Sequence, residues 1–162
     1  MRGTMDVYTT TEYIPDDSDG IFLAGPTVRD QETINGWRLE AIDLFSKIDF
    51  EYDLYVPEFC RGQPLYWTYE RQVMWELKAL QKARIILFWI PRSDELPART
   101  TNIEFGEYIN SNKIVVGCPD SAIHMEYIRS RCKLNGIPVH NKLQTAVMMA
   151  KAMFESRRML WG

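Results

Sequence analysis

Arg84-Ile85-Ile86-Leu87-Phe88-Trp89-Ile90, closed by Pro91, is the stretch that decides the fold. After the leading arginine it has no polar face at all, and β-branched and aromatic side chains dominate it. A short apolar run of this kind, stopped by proline, reads as a strand buried on both faces. Gly20–Gly25 (GIFLAG) repeats the pattern upstream and ends at Gly25-Pro26. Between the two, Ile34, Trp37, Ala41, Leu44, Phe45 and Ile48 recur mostly at helical spacing, the stripe of an amphipathic helix. Asp53–Val56 reads as another strand, stopped by Pro57, and Thr68–Lys82 as a helix. Downstream the reading is a helix over Thr101–Ser111, a strand over Lys113–Cys118 and a helix over Asp120–Leu134. A short strand over Ile137–Val139 and a helix over Asn141–Arg157 complete it. The first 19 residues, ending in the acidic turn Pro15-Asp16-Asp17-Ser18-Asp19, read as a short hairpin or a loose arm.

Strands alternating with helices predict an α/β fold: a doubly wound, mostly parallel five-stranded sheet with helices on both faces. The 162 residues suit a single domain over 1–162. In such sheets ligands bind beyond the carboxyl ends of the strands. The functional loops are therefore expected at 25–33, 57–67, 91–101 and 119–121.

Composition narrows the chemistry. There are 19 Lys+Arg against 22 Asp+Glu, a formal charge of −3, and no basic run suited to gripping nucleic acid. No stretch approaches the roughly 20 apolar residues of a membrane span, and Met1–Asp6 lacks the apolar core of a secretory signal. Three scattered cysteines, Cys60, Cys118 and Cys132, fit a reducing, cytoplasmic setting. With only two histidines, His124 and His140, the chain offers no metal-ligand spacing, so neither a metal nor a cofactor is expected. Catalytic work, if any, falls to carboxylates.

Two carboxylates stand out. At about 100° per residue, Glu76 falls in the apolar stripe of its helix, with Gln72 one turn away on the same side. A carboxylate there is either a buried ion pair or a functional group with a raised pKa. Glu104 lies where the helix after the long loop begins. Thr101-Asn102-Ile103-Glu104 matches a capping box. The same position is open to a second reading, a nucleophile held ionised by the helix dipole at the ligand end of the sheet. Aromatic residues also crowd unevenly: eight of the 26 positions from Phe50 to Trp75, against 20 in all 162. Phe59, Tyr66 and Trp67 sit in a loop with Arg61, Gly62 and Pro64, where a flat, stackable ligand such as a nucleobase is a natural candidate. Gly25-Pro26-Thr27 can bring backbone amides close to a ligand, but it is neither G-x-G-x-x-G nor a P-loop.

These segments resemble the nucleoside 2-deoxyribosyltransferases, particularly the divergent branch described as nucleoside 2-deoxyribosyltransferase-like. The resemblance is carried by IFLAGPT at Ile21–Thr27, Trp37-Arg38, YVPE at Tyr55–Glu58, YERQVMWE at Tyr69–Glu76, FWIPR at Phe88–Arg92 and TTNIEFG at Thr100–Gly106. It implies a flavodoxin-like sheet and homo-oligomers in which a neighbour helps close each site. It implies a deoxynucleoside and a free nucleobase as substrates, and transfer of 2-deoxyribose between bases with retention. Glu104 matches the family's nucleophilic glutamate, and Glu76 the acidic residue that assists departure of the base, where better-known members carry Asp. Gly25, Pro26, Trp37, Phe59, Gln72, Trp89, Arg92 and Asn102 are the expected substrate-binding residues. Asn102 stands in for an aspartate those members place near the sugar, since Pro97-Ala98-Arg99 occupies that stretch here. The alternative reading is an N-glycoside hydrolase of nucleosides or nucleoside 5′-monophosphates, using the same carboxylates with water as acceptor.

Overall fold

The computed structural model describes residues 4–28, 34 and 36–161. Six strands form one parallel sheet: β1 (Val7–Thr9), β2 (Gly20–Ala24), β3 (Asp53–Val56), β4 (Ile85–Trp89), β5 (Ile114–Gly117) and β6 (Val139–His140). Four helices connect β2 to β6, α1 (Trp37–Lys47), α2 (Tyr69–Lys82), α3 (Arg99–Tyr108) and α4 (Glu126–Leu134), and α5 (Leu143–Trp161) follows β6. The spatial order is β1-β3-β2-β4-β5-β6, every neighbouring pair parallel. Without β1 this is the 2-1-3-4-5 order of flavodoxin-like sheets, with its switch point between β2 and β4.

All five residues of β2 and of β4 are buried, because each strand packs on both faces. Side chains alternate across the pleat. In β4, Ile86 and Phe88 pack with α2, α3 and α4, while Ile85, Leu87 and Trp89 pack with α1 and α5. The two apolar layers leave the strands' carboxyl ends as the place where helices from opposite faces meet.

The sheet has six strands rather than five because the N-terminal segment joins it. Val7, Tyr8 and Thr9 pair in parallel with Leu54, Tyr55 and Val56. Glu12 closes the turn after β1, its Oε2 accepting from the backbone N–H and the hydroxyl of Thr9 at 2.6 and 2.7 Å. The reading of this segment as an arm is corrected on that point. Helix α4 starts at Glu126, not Asp120: Ala122 donates to the carbonyl of Pro119 and Ile123 to that of Arg92, so 119–125 is a turn tied to the end of β4. Residues 29–33 of the loop after β2 lie outside the described residues. No helix among the described residues is long and apolar enough to cross a membrane.

Candidate active site

Helix α2 runs back from the carboxyl edge of the sheet, so its first turns lie at the ligand end. Thr68 caps it, its hydroxyl accepting from the N–H of Arg71 at 3.3 Å. Around the helix its buried residues run from Trp75 through Ala79 to Leu80. Gln72 and Glu76 fall inside that arc, at about 60° and 100° from Trp75. The protein therefore carries two polar side chains inward. Gln72 Nε2 donates to Glu76 Oε1 at 2.6 Å and to the hydroxyl of Thr10 at 3.3 Å, and its Oε1 accepts from the Trp67 indole at 3.3 Å. Trp67 in turn meets Phe59 edge-on, ring centroids 6.5 Å apart. Thr10, just after β1, is fully buried and donates its N–H to the carbonyl of Glu58. The aromatic loop, the N-terminal strand and the carboxylate of Glu76 are thus one connected unit. Of the expected site residues, Phe59, Gln72 and Glu76 are linked here through Trp67.

Glu104 is carried by α3 on the same face of the sheet as α2, and here the capping-box reading fails. Helix α3 begins at Arg99, after Ala98 in a left-handed conformation (φ 54°, ψ 45°). Thr101 is its third residue and is buried, so it cannot serve as the cap. Glu104 is the sixth residue, past the first turn where the dipole favours an anion. Burial is the main cause that lifts its pKa to about 8, and the charges of Glu76 and Glu107 add to the rise. The expectation of a carboxylate held ionised by the dipole is corrected accordingly. Glu76 is also raised, chiefly by burial, against the hydrogen bond from Gln72 and the charge of Arg38. Ionising Glu104 is thus opposed both by burial and by the charge of Glu76.

Their counter-charge is Arg38, a residue sequence reasoning did not place in the site. It is fully buried in the first turn of α1. Its Nε donates to the carbonyl of Leu23 at 2.9 Å, Nη2 to that of Gly25 at 2.7 Å and Nη1 to the hydroxyl of Thr27 at 2.8 Å. Glu58 pairs with it, Nη1 to Oε2 3.3 Å. The guanidinium therefore wraps the carboxyl end of β2, and it favours the ionised forms of both Glu104 and Glu76.

Gly25 and Pro26 form the turn at the carboxyl end of β2. A Cβ on Gly25 would lie 2.2 Å from the carbonyl oxygen of Trp89 and 2.7 Å from the Trp37 ring. Trp37 covers this turn, its indole donating to the carbonyl of Pro26 at 3.0 Å. Replacing Gly25 by Ala forces two strand ends apart, at a cost of about 3 kcal/mol. Urea unfolding of Gly25→Ala should show that loss; an unchanged midpoint would contradict the packing.

Three other predicted residues are not gathered around the carboxylates. Trp89 lies in the layer facing α1 and α5, its ring against Gly117, where a Cβ would come within 2.8 Å. Asn102 is about 160° round α3 from Glu104; it is exposed, and its Oδ1 accepts from Arg92 Nη2. Arg92 is buried, and its Nη1 donates to the carbonyl of His124 at 2.7 Å. Arg92 and Asn102 therefore fasten the 119–125 turn to the start of α3.

Residues 18–122, more than half of the chain, match the family model described as "Nucleoside 2-deoxyribosyltransferase like". The chain belongs to this family. The match runs from just before β2 to the turn after β5 and takes in Arg38, Glu58, Gln72, Glu76 and Glu104. Strand β1 and Thr10, which complete the Gln72 network, lie before it. No curated protein sequence matches the chain.

Proposed function

We propose that this member of the nucleoside 2-deoxyribosyltransferase-like family moves 2-deoxyribose from one nucleobase to another with retention. The observation that carries this reading is the half-buried Glu76, fastened by the Gln72 amide at 2.6 Å, within a family match that also takes in Glu104 and the pinned Arg38. Two half-buried carboxylates, both with raised pKa values, suit a double displacement at an anomeric carbon. Glu104, ionised, attacks C1′ as the C1′–N bond breaks through an oxocarbenium-like transition state, forming a glycosyl ester. Glu76 gives its proton to the departing base. The acceptor base then attacks C1′ from the vacated side, Glu76 takes up its proton and Glu104 leaves as carboxylate. The Gln72 amide, fixed by Thr10 and Trp67, holds Glu76 toward the base, and Phe59 and Trp67 offer it an aromatic wall.

Leu65, Tyr66 and Tyr69 are largely exposed along the aromatic loop and the start of α2. They form the apolar rim against which a neighbouring copy would close the pocket.

The test is base exchange. Incubation with a deoxynucleoside and a second free base should yield the exchanged deoxynucleoside on chromatography. Mass spectrometry after a deoxynucleoside pulse should find a deoxyribosyl adduct on the peptide carrying Glu104. Release of base at one rate with or without acceptor would indicate the hydrolase instead. The absence of both exchange and release across purine and pyrimidine pairs would refute the assignment.

A further inference from the structure

The candidate active site occupies the carboxyl edge of the sheet, and the amino edge has a cavity of its own. It is an open hollow of about 300 Å³ lined by Lys82, Arg84, Lys113, Arg157, Asp19 and Trp161. The chain brings these residues together from the end of α2, the starts of β4 and β5 and the last turns of α5. Four of them are cations, in a protein whose formal charge is −3. The volume is at the small end of the range for ligand sites.

Asp19 is the single carboxylate in this lining among the described residues, and it is already engaged. Arg84 grips it with Nε and Nη2, both at 2.9 Å, and Arg158 Nη1 stands 3.4 Å from the same group. Lys82, Lys113 and Arg157 are therefore matched by no acid of the cavity. Their hydrogen bonds go to carbonyls, which leave the charge in place. Lys82 donates to Asp16 at 2.7 Å, Arg157 Nη1 to Asn112 at 2.9 Å, and Lys113 to Leu80 and Ala83 at 2.8 and 2.9 Å. Burial and the charge of Arg157 hold the Lys113 pKa down at about 8. Lys82 keeps further N–H groups, Arg84 its Nη1 and Arg157 its Nε and Nη2 without a partner among the described residues. The other acids of this edge, Asp6, Asp17, Glu51 and Asp53, line a separate hollow beside β1 and β3, so the edge is divided by charge.

We propose that this cavity is a second ligand site, one for a polyphosphate, in which Lys82, Arg84 and Arg157 supply the hydrogen bonds and Lys113 adds charge. Donors carried on separate elements suit an anion with several oxygens in a row rather than a single phosphate. Trp161, 79% exposed beside the cations, offers a flat face to a ring carried by the same ligand. The ligand class is therefore inorganic polyphosphate or the phosphate tail of a nucleotide, two sources of one anionic chemistry. The cavity lies at the opposite edge of the sheet from Glu76, so the inference is independent of the transferase reading.

The experiment titrates wild type with inorganic tripolyphosphate, ATP and adenosine by calorimetry at about 0.05 M salt, where surface charge is only partly screened. The Trp161 indole N–H is followed in parallel by 15N NMR, assigned with Trp161→Phe, so that binding is located without altering a cation. Tripolyphosphate should saturate one site and move the Trp161 signal, and adenosine should bind at least about tenfold more weakly. Lys82→Ala/Arg157→Ala should weaken tripolyphosphate at least about tenfold. Lys133→Ala/Lys142→Ala removes the same charge from exposed positions elsewhere, and should leave the affinity within about twofold. Tighter binding of ATP than of tripolyphosphate, lost in Trp161→Ala, would support the site with a nucleotide as its ligand. Equal binding of the two would support it with a polyphosphate alone. No saturable binding of either up to about 1 mM would overturn the proposal. So would saturation that leaves the Trp161 signal in place, or equal weakening by the two double variants.

Discussion

Glu104→Gln should lose base exchange by at least about a thousandfold and give no deoxyribosyl adduct, while remaining folded. The loss follows from the chemistry: an amide cannot form the glycosyl ester. A thousandfold corresponds to about 4 kcal/mol of transition-state stabilisation. The folding half follows from burial. Wild type keeps at this position a group whose ionisation burial and Glu76 both oppose, and the neutral amide has no such conflict. An active site that trades stability for reactivity behaves this way. Glu76→Gln should be milder, about a hundredfold, and its effect should depend on the base, least where the base leaves easily without a proton. Equal losses for good and poor leaving groups would count against Glu76 as the acid. Residual exchange within tenfold of wild type in Glu104→Gln would remove it as nucleophile.

The parts of the fold that announced themselves did so through local physics. β2 and β4 are apolar on both faces, so no tertiary information was needed to recognise them as inner strands. The helix over Tyr69–Lys82 carries its cap, Thr68, and its inward arc in plain sight. Glu76 was conspicuous for the same reason, since a carboxylate in a buried arc is a contradiction that calls for a partner. β1 gave no such signal. It is three residues long, half-buried and at an edge, and only its pairing with β3 makes it a strand. The start of α3 misled because Thr-x-x-Glu is good capping grammar, but the left-handed turn at Ala98 begins the helix earlier and buries the threonine.

Arg38 was hidden in another way. Between Trp37 and Leu39, at a helix start, an arginine looks like a solvent-facing residue. Its burial depends on carbonyls of β2 and on a carboxylate from the end of β3. No window of sequence contains that arrangement. The same holds for the rise in the Glu104 pKa that Glu76 adds to, which needs α2 and α3 packed on one face of the sheet. Both carboxylates could be named from the sequence, but which one is the harder to ionise could not.

That difference should be measurable without substrate, as a loss of stability between pH 4.5 and 8. The folded-state pKa of Glu104 is about 8, above its ordinary value of 4.5. The native state therefore binds a proton that the unfolded chain releases. Below pH 4.5 both states are protonated and the group contributes no pH dependence. As pH rises toward 8 the unfolded chain is increasingly favoured, and beyond 8 the penalty is complete. At about 1.4 kcal/mol per unit the swing is roughly 3–5 kcal/mol. Glu76, raised in the same sense, adds to it. His140 works the other way, because its pKa is lowered by burial and the native state prefers the neutral ring. Lys113, whose pKa burial lowers to about 8, changes its contribution only above that pH. Urea midpoints at pH 5 and pH 8 for wild type and Glu104→Gln isolate the term, since His140 and Lys113 are common to both. The wild type should lose several kcal/mol more than the variant across this window. Parallel stability curves for the two proteins would mean that Glu104 is ionised in the native state, and its raised pKa would have to be abandoned.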